Sequence, residues 1–158
     1  MARRVFFSFH YRNDVWRANQ VRNSWLTQGR EAAGFIDAAD FEKIKNEGDT
    51  AVKRWIDGQL AGTSVTVILI GGETSSRPYV RYELQRSYER GNGLVGVHIH
   101  NCKDRYGNSC MKGDTTFGEI GKDKNGNSIY FFQVANVYDY VAHGGYKNLG
   151  KWIEEAAP

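Results

Sequence analysis

The sequence predicts an α/β protein with a flavodoxin-like, three-layer fold, in which a five-stranded parallel sheet of order 2-1-3-4-5 carries helices on both faces. The first observation is the apolar run Val65–Ile70, whose β-branched residues are typical of a strand buried on both faces. The second is the alternation of strand and helix patterns, which favours right-handed crossovers between parallel strands. The chain has 158 residues, 41% of them apolar, so we predict a single domain over residues 1–158.

The first strand is predicted at Val5–Phe9, a short and aromatic run. Residues 10–13 follow as a polar turn, and Asp14 is a natural N-cap for the first helix. Gly29 stands where that helix is expected to end. The apolar positions that repeat along the helix are Ala18, Val21 and Trp25.

A weaker second strand is predicted at residues 34–37, followed by a long polar loop over residues 38–48. Asp49 or Thr50 is expected to cap the second helix. The inward-facing positions of this helix are Val52, Trp55, Ile56 and Leu60.

The central strand, Val65–Ile70, ends at two glycines, and Ser75 or Ser76 is expected to cap the next helix. Pro78 suits the first turn of a helix, where its missing N–H would have no partner in any case. The apolar positions at helical spacing are Val80, Leu84 and Tyr88.

Residues 94–100 have the pattern of a fourth strand, and residues 129–137 that of a fifth. Between them, residues 101–127 are polar and show no apolar period. This stretch is too long for a simple connector, so it is functional or mobile. A last helix buries Leu149, Trp152 and Ile153.

Composition excludes several classes of protein. No apolar run approaches the roughly 20 residues of a membrane helix, and the N-terminus shows no signal-peptide pattern. Two cysteines are too few for a disulfide scaffold, so we expect a cytoplasmic protein in a reducing compartment. The net charge of +3 is mild and does not require nucleic acid as a partner, although Arg3, Arg4, Arg12, Arg17 and Arg22 leave that alternative open.

The predicted strand order places a crevice where the chain direction reverses, between the first and third strands. Ligands of open α/β sheets bind at such a point, outside the carboxyl ends of the strands. Residues 8–14 and 71–79 leave those two ends, which brings the first polar turn near Tyr79 and Glu83. These two residues are four apart on one helix and are therefore neighbours.

Residue types at the crevice argue against three common uses of such folds. A phosphorylated receiver needs an aspartate where Gly71 and Gly72 stand, and a flavodoxin needs a hydroxyl- and glycine-rich loop at residues 10–13. A P-loop motif is absent. The remaining carboxylate, the adjacent aromatic ring and the side chains of the first turn suit a ligand with a cationic ring, ribose hydroxyls and phosphates.

Two motifs resemble those of TIR domains. The segment Phe6-Phe7-Ser8-Phe9-His10-Tyr11-Arg12-Asn13-Asp14 is similar to the first-strand motif, aromatic-Ile-Ser-Tyr-x-x-x-Asp. The segment Ser76-x-x-Tyr79-x-x-x-Glu83-Leu84 is similar to Ser-x-x-Trp-Cys-x-x-Glu-Leu, with Tyr79 in place of Trp and Val80 in place of Cys. Residues 96–101, with Lys103, Asp104, Gly113 and Phe117, resemble the bacterial TIR-like family that includes the signalling subunit of Thoeris anti-phage systems.

The resemblance implies a TIR-type fold and an enzyme that cleaves the nicotinamide–ribose bond of NAD, producing a cyclic ADP-ribose isomer or a related messenger. NAD is then a substrate, and no separate cofactor is expected. Glu83 is the implied catalytic residue. The implied substrate-binding residues are Ser8, Phe9, His10, Tyr11, Arg12, Ser76 and Tyr79. The implied partners are an effector reached through a diffusible messenger and further copies of the chain; no membrane partner is expected.

Other interpretations of the same residues stay open at this point. A TIR-like chain can act as a non-catalytic assembly module, and nucleic-acid binding would appear as a strongly salt-dependent affinity. Glu83 could be a solvated carboxylate paired with Arg86, and Tyr79 could serve only in packing. The side chains of His98, His100 and Cys102 are of zinc-binding types, but Cys110 fits no standard spacing, so we predict no metal site.

Overall fold

The computed structural model of the chain describes residues 4–28, 30, 32–35 and 38–158, the side chains of residues 11–13, 38 and 39 excepted. The elements of the first half are β1 (Val5–Phe9), α1 (Tyr11–Thr27), β2 (Ala32–Ala33), α2 (Ala38–Asn46), α3 (Asp49–Leu60) and β3 (Val65–Ile70). The second half contains a 3-10 turn (Thr74–Ser76), α4 (Pro78–Glu89), β4 (Gly93–His98), β5 (Glu119–Lys122), β6 (Ser128–Tyr130), α5 (Phe131–Val134), β7 (Ala135–Asp139) and α6 (Gly145–Ala156). Within the described residues, no helix has both the length and the apolar character needed to cross a lipid bilayer.

The main sheet has five strands in the order β2-β1-β3-β4-β7, and each neighbouring pair is parallel. This confirms the predicted fold class and strand order, with β7 as the fifth strand. The almost wholly apolar β3 lies in the centre, where both of its faces are covered and its six residues are buried. Such two-sided burial is what the continuous apolar run predicts.

Helices cover both faces of the sheet. On one face, α1 and α6 pack on Phe7 and Val67 through a cluster that includes Trp25 and Trp152. On the other face, α3 packs on Phe6, and α4 packs on Ile68. Adjacent residues of a strand point to opposite faces, so β1 and β3 divide their side chains between these two layers.

The first helix begins earlier than predicted. Its N-cap is His10 and not Asp14, which lies in the first turn and is buried. The second strand is also displaced, because β2 consists of Ala32–Ala33 and the chain bends at Gly34. Residues 36 and 37 of the predicted strand, and Gly29 at the predicted helix end, lie outside the described residues.

The predicted polar loop over residues 38–48 is wrong, since most of it forms α2. Phe41 and Ile44 are three apart and partly buried, which gives this short helix a narrow inward face. Asp40 in its first turn and lysines in its last turn suit the helix dipole. The cap of α3 is Gly48, so neither Asp49 nor Thr50 has that role.

The helix after the central strand begins at Pro78, as predicted. Its N-cap is Arg77, however, because Ser75 and Ser76 are taken up by the preceding 3-10 turn. The fourth strand spans Gly93–His98, one residue earlier at its start and two at its end than residues 94–100.

The stretch over residues 101–127 is partly ordered by its own secondary structure. Its β5 pairs antiparallel with β6 in a separate two-stranded sheet. The hairpin packs against α4, where Gln85 donates a hydrogen bond to the carbonyl of Glu119 at 3.2 Å. The predicted fifth strand over residues 129–137 is therefore divided among β6, α5 and β7, and only β7 joins the main sheet.

Candidate active site

A cavity of about 280 Å³ opens beside the carboxyl end of β1, between α2, α3 and the start of α4. Residues 77–79 of the segment that leaves β3 form part of its lining, so it lies near the crevice that the strand order predicts. We call it the Glu83 cavity. Most of its lining is aromatic or aliphatic, with a few charged groups. The lining residues are Phe9, His10, Gly34, Phe41, Glu42, Lys45, Val52, Trp55, Ile56, Arg77, Pro78, Tyr79, Val80 and Glu83.

Glu83 lies in the second turn of α4 and is only 8% exposed. Burial raises the pKa of its carboxyl well above the usual value, and the nearby Ser8 hydroxyl lowers that pKa in part. Arg86 does not pair with Glu83 but with Asp57, at 3.0 Å, and with Glu89, at 2.7 Å. The interpretation of Glu83 as a solvated, paired surface carboxylate is therefore wrong, and a buried carboxyl with a perturbed pKa is typical of a functional site.

Ser8 is fully buried on β1 beside Glu83. Its hydroxyl lies close enough to favour the charged form of Glu83, but it makes no hydrogen bond of regular geometry with any described residue. Buried hydroxyls are normally hydrogen-bonded. Ser8 is therefore placed to donate a hydrogen bond to the Glu83 carboxylate.

Tyr79 precedes Glu83 by one helical turn and forms a wall of the cavity. Its hydroxyl donates a hydrogen bond to Asp49 Oδ1 at 2.9 Å, and Asp49 Oδ2 is 3.1 Å from Lys53 Nζ. Desolvation and this hydrogen bond raise the pKa of Tyr79. The ring also packs against the α3 cluster, so Tyr79 both lines the cavity and contributes to packing.

The other predicted binding residues are placed differently. Phe9 and His10 line the Glu83 cavity. Tyr11 and Arg12 lie in the first turn of α1, and their side chains are outside the described part of the chain. Ser76 does not line this cavity; it is exposed, and its hydroxyl donates to the carbonyl of Glu73 at 2.9 Å.

Ten of the fourteen lining residues were not predicted as site residues from the sequence, among them Phe41, Lys45, Trp55 and Arg77. Phe41 and Lys45 are carried by α2, the segment predicted as a loop. Trp55 was assigned to the core, yet it is partly exposed and lines the cavity. Arg77 lies directly before the Pro78 that starts α4, and this position next to a helix N-terminus was the available signal.

Asp14 links the first turn of α1 to the loop that follows β3. Its Oδ2 accepts a hydrogen bond from the Thr74 hydroxyl at 3.3 Å, and that hydroxyl accepts one from the Gly71 amide at 2.8 Å. Burial raises the pKa of Asp14 to about 6, although Thr74 and Arg17 act in the opposite direction. Its position in the first turn of α1 fixes the start of that helix against the loop that follows β3.

Residues 6–104 match the sequence model of the family described as "Thoeris protein ThsB, TIR-like domain". This chain belongs to that family. It is also 37% identical to a protein of Bacillus cereus (strain MSX-D12) named "Putative cyclic ADP-D-ribose synthase ThsB1", over 97% of this chain and all of that relative. The family match includes β3, all of β1 except Val5, and Glu83.

A second depression of this TIR-like domain lies on the far side of Tyr79. We call it the Arg81 groove; its volume is about 750 Å³. It shares Arg77, Pro78 and Tyr79 with the Glu83 cavity. Its lining residues are Asp49, Lys53, Ser75, Ser76, Arg77, Pro78, Tyr79, Arg81, Tyr82, Gln85, Thr116, Phe117 and Gly118.

His98 is the last residue of β4, and His100 and Cys102 follow it closely in the chain. The rings of His98 and His100 are 5.6 Å apart in an edge-to-face arrangement, and His100 Nε2 is 3.7 Å from Asp139. Burial is the largest cause of the lowered pKa of His98, and it raises the pKa of the Cys102 thiol to about 11. No group of three metal-binding side chains is arranged for a metal ion within the described residues.

Proposed function

We propose that this TIR-like protein cleaves the nicotinamide–ribose bond of NAD and converts the remainder into a cyclic ADP-ribose isomer or a related messenger for anti-phage signalling. The observation that carries the proposal is the buried carboxyl of Glu83 in a largely aromatic cavity at the crevice of the sheet. The name of the Bacillus cereus relative, with its reference to cyclic ADP-D-ribose synthesis, supports the same chemistry. The proposal also includes an effector that responds to the messenger, self-association of the domain and a cytoplasmic location.

Cleavage of the nicotinamide–ribose bond requires a fixed negative charge more than it requires a general acid. When the C–N bond breaks, its electron pair goes to nicotinamide, which leaves as a neutral base from a cationic ring. Positive charge develops on the ribose as an oxocarbenium ion. An ionised Glu83 can stabilise that charge or hold the ribose hydroxyls, and a preorganised charge in a site with little water acts strongly.

The raised pKa of Glu83 is compatible with this role once the substrate is considered. Within the cavity, burial alone favours the neutral carboxylic acid. The cationic nicotinamide ring of NAD would bring a positive charge into the same desolvated space and would favour the carboxylate. Ser8, with its free hydroxyl, can donate to that carboxylate.

Formation of a cyclic product requires that water be kept from the reactive ribose while an internal nucleophile reaches it. The rings of Phe41 and Trp55 and the side chain of Val52 line the cavity and limit the space for water. Because α2 brings Phe41 to this position, the short helix is expected to affect the ratio of cyclic to hydrolysed product.

The test is mass spectrometry of the small molecules formed from NAD, in buffer and in lysate of phage-infected cells. We expect nicotinamide and an ADP-ribose-derived product from the wild-type protein, and a loss of both of at least about 100-fold in Glu83→Gln. Glu89→Gln is the matched control, because Glu89 is an exposed carboxylate on the same helix.

The outcome separates the enzyme from an interaction module. If folded protein gives no Glu83-dependent product in either setting, the catalytic proposal fails and the chain acts as a non-catalytic assembly domain. Equal loss of product in Glu89→Gln would also contradict the assignment, because the effect would then not be specific to the buried carboxyl.

A further inference from the structure

The Glu83 cavity is smaller than a dinucleotide requires. Pockets that enclose drug-sized ligands span about 300–1,000 Å³, and the volume of this cavity is about 280 Å³. NAD contains two nucleotides joined by a pyrophosphate. If the nicotinamide riboside half lies beside Glu83, the adenosine half must extend out of the cavity.

The Arg81 groove is the adjoining space. Tyr79 forms the partition between the two depressions, and its hydrogen bond to Asp49 fixes it there. Arg77 lines both depressions, so it lies at the point where a ligand would pass from one to the other. In NAD, the group between the two nucleosides is the pyrophosphate.

Charge at this junction favours an anion. Three cationic side chains line the Arg81 groove, against the single carboxylate of Asp49. Lys53 is paired with Asp49 at 3.1 Å, and Arg77 with Glu73 at 2.9 Å. Arg81 forms no ion pair within 4 Å of a described carboxylate, although its charge helps to lower the pKa of Glu119; its guanidinium lies against the backbone at Gly118.

Two further observations point to a polar ligand. The Nε atom of Arg77 is buried and has no hydrogen-bond partner among the described residues, and an orphaned buried donor requires an explanation. The N-terminus of α4, a helix of twelve residues, also opens at this junction, and no side chain caps it. Backbone N–H groups at a helix N-terminus favour phosphate oxygens.

We propose that the Arg81 groove binds the adenosine diphosphate half of NAD, with the pyrophosphate at Arg77 and the adenosine side extending towards Arg81. This inference rests on the proposed function, since it assigns the second half of the same substrate. Tyr79 then separates the two halves of the dinucleotide. Arg77 and Arg81 act as substrate-binding residues that bear no part of the bond cleavage.

The experiment measures binding and turnover in parallel. Binding of ADP-ribose and of nicotinamide is measured by calorimetry in the Glu83→Gln background, so that no turnover interferes. We expect Arg81→Gln and Arg77→Gln each to weaken ADP-ribose binding roughly tenfold or more, because each removes a charge-assisted hydrogen bond. Nicotinamide binding should stay unchanged, and in the active protein the KM for NAD should rise more than kcat falls.

Control variants make the result specific. Arg90→Gln, at the opposite end of α4, should match the unmodified protein, and Arg77→Lys should restore part of the ADP-ribose affinity. ADP-ribose binding that is the same in Arg81→Gln as in Arg90→Gln would overturn the groove assignment, even if NAD is cleaved. The protein could also bind ADP-ribose in a way that depends on these arginines and yet never cleave NAD. That result would support the assignment of the Arg81 groove and refute the proposed reaction.

Discussion

At the scale of single residues, the site depends on one carboxyl group that is removed from water. Glu83 is 8% exposed, and burial dominates the shift in its pKa. The only described group that acts on it in the other direction is the Ser8 hydroxyl. The pKa of Glu83 is thus set by its burial on α4 and by one neighbouring side chain from β1.

We predict that kcat/KM for NAD increases with pH up to and through the raised pKa of Glu83. The group must be ionised to stabilise positive charge, and a raised pKa means that it ionises only at higher pH. Ser8→Ala removes the hydroxyl that favours the carboxylate, so the pH profile should move to higher pH. The measurement is kcat/KM from pH 5 to 9.

Ser87→Ala is the matched control for this prediction. Ser87, on α4, is also a buried serine, but its hydroxyl forms a hydrogen bond of 2.7 Å with the Thr66 hydroxyl. Its removal should leave the position of the pH profile unchanged. A Ser8→Ala profile that coincides with the wild-type profile would show that Ser8 has no influence on Glu83.

At the scale of elements, the crevice depends on the contact between α1 and the loop after β3. A methyl group on Gly71 would lie 2.2 Å from Asp14 Oδ2, far inside van der Waals contact. We predict that Gly71→Ala destabilises the fold by about 1–3 kcal/mol, as overpacked buried sites do, and also reduces NAD turnover. Chemical denaturation and the turnover assay measure the two effects.

Gly58→Ala provides the comparison for that substitution. Gly58 lies within α3 with nothing within 4 Å of the added methyl group, so alanine should be neutral or stabilising there. If Gly71→Ala proved as stable and active as Gly58→Ala, the loop would not be held by Asp14 in the way that the hydrogen bonds indicate.

Several elements could be predicted from the sequence because their signal is continuous. The bounds of β1 and β3 agree with the prediction, since each is an apolar run with a single hydroxyl residue, Ser8 in β1 and Thr66 in β3. By contrast, β2 has two alanines and no β-branched residue, so its pattern was too weak to locate. For the same reason the nine residues of α2, with only a narrow apolar face, were predicted as a loop.

The cavity residues that were named from the sequence lie on elements whose positions were predicted well. Glu83, Tyr79, Phe9 and His10 meet at one cavity because α4 and β1 were correctly placed. The contributions of α2 could not be foreseen while that helix was unrecognised. Asp14 was interpreted as a cap because sequence does not show which carboxylates become buried in the first turn of a helix.

The long polar stretch also contains a repeated pattern that apolar periodicity does not detect. The pattern Lys-Asp-x-x-Gly-Asn-Ser occurs at residues 103–109 and again at residues 122–128. Both copies form a turn with the same hydrogen bonds, from the Asp104 amide to the Asn108 carbonyl and from the Asp123 amide to the Asn127 carbonyl, each at 2.9 Å. Arg17 fixes the first turn to α1, through a hydrogen bond from Nη2 to the Asn108 carbonyl.

At the scale of the whole molecule, two buried carboxyl groups make stability depend on pH. The pKa of Asp14 is about 6 in the fold, against 3.8 as its ordinary value, and that of Glu83 is also raised. A group whose pKa is higher in the folded state binds its proton more tightly there. The stabilisation that such a group gives to the fold is therefore fully present below its pKa in the unfolded chain. That stabilisation is lost as pH rises through its pKa in the folded protein.

We predict that the free energy of unfolding decreases between about pH 4 and pH 6, by about 3 kcal/mol for Asp14 alone at about 1.4 kcal/mol per pH unit. Asp14→Asn should remove the share of this decrease that belongs to Asp14 and stabilise the protein at pH 7. Asp123→Asn is a contrasting control, because the pKa of Asp123 is lowered by its turn and its contribution is lost as pH falls. Urea denaturation at several pH values measures all three proteins.

The same reasoning applies to the residue that the proposed reaction needs. Glu83→Gln replaces a buried acid by a neutral amide of similar shape, so the variant should unfold at a higher urea concentration than the wild-type protein at pH 7 and above. Functional sites commonly sacrifice stability in this way. A variant that is more stable and yet inactive would separate the role of the carboxylate from any effect on folding, whereas an unstable variant would show that Glu83 has a structural role in the crevice.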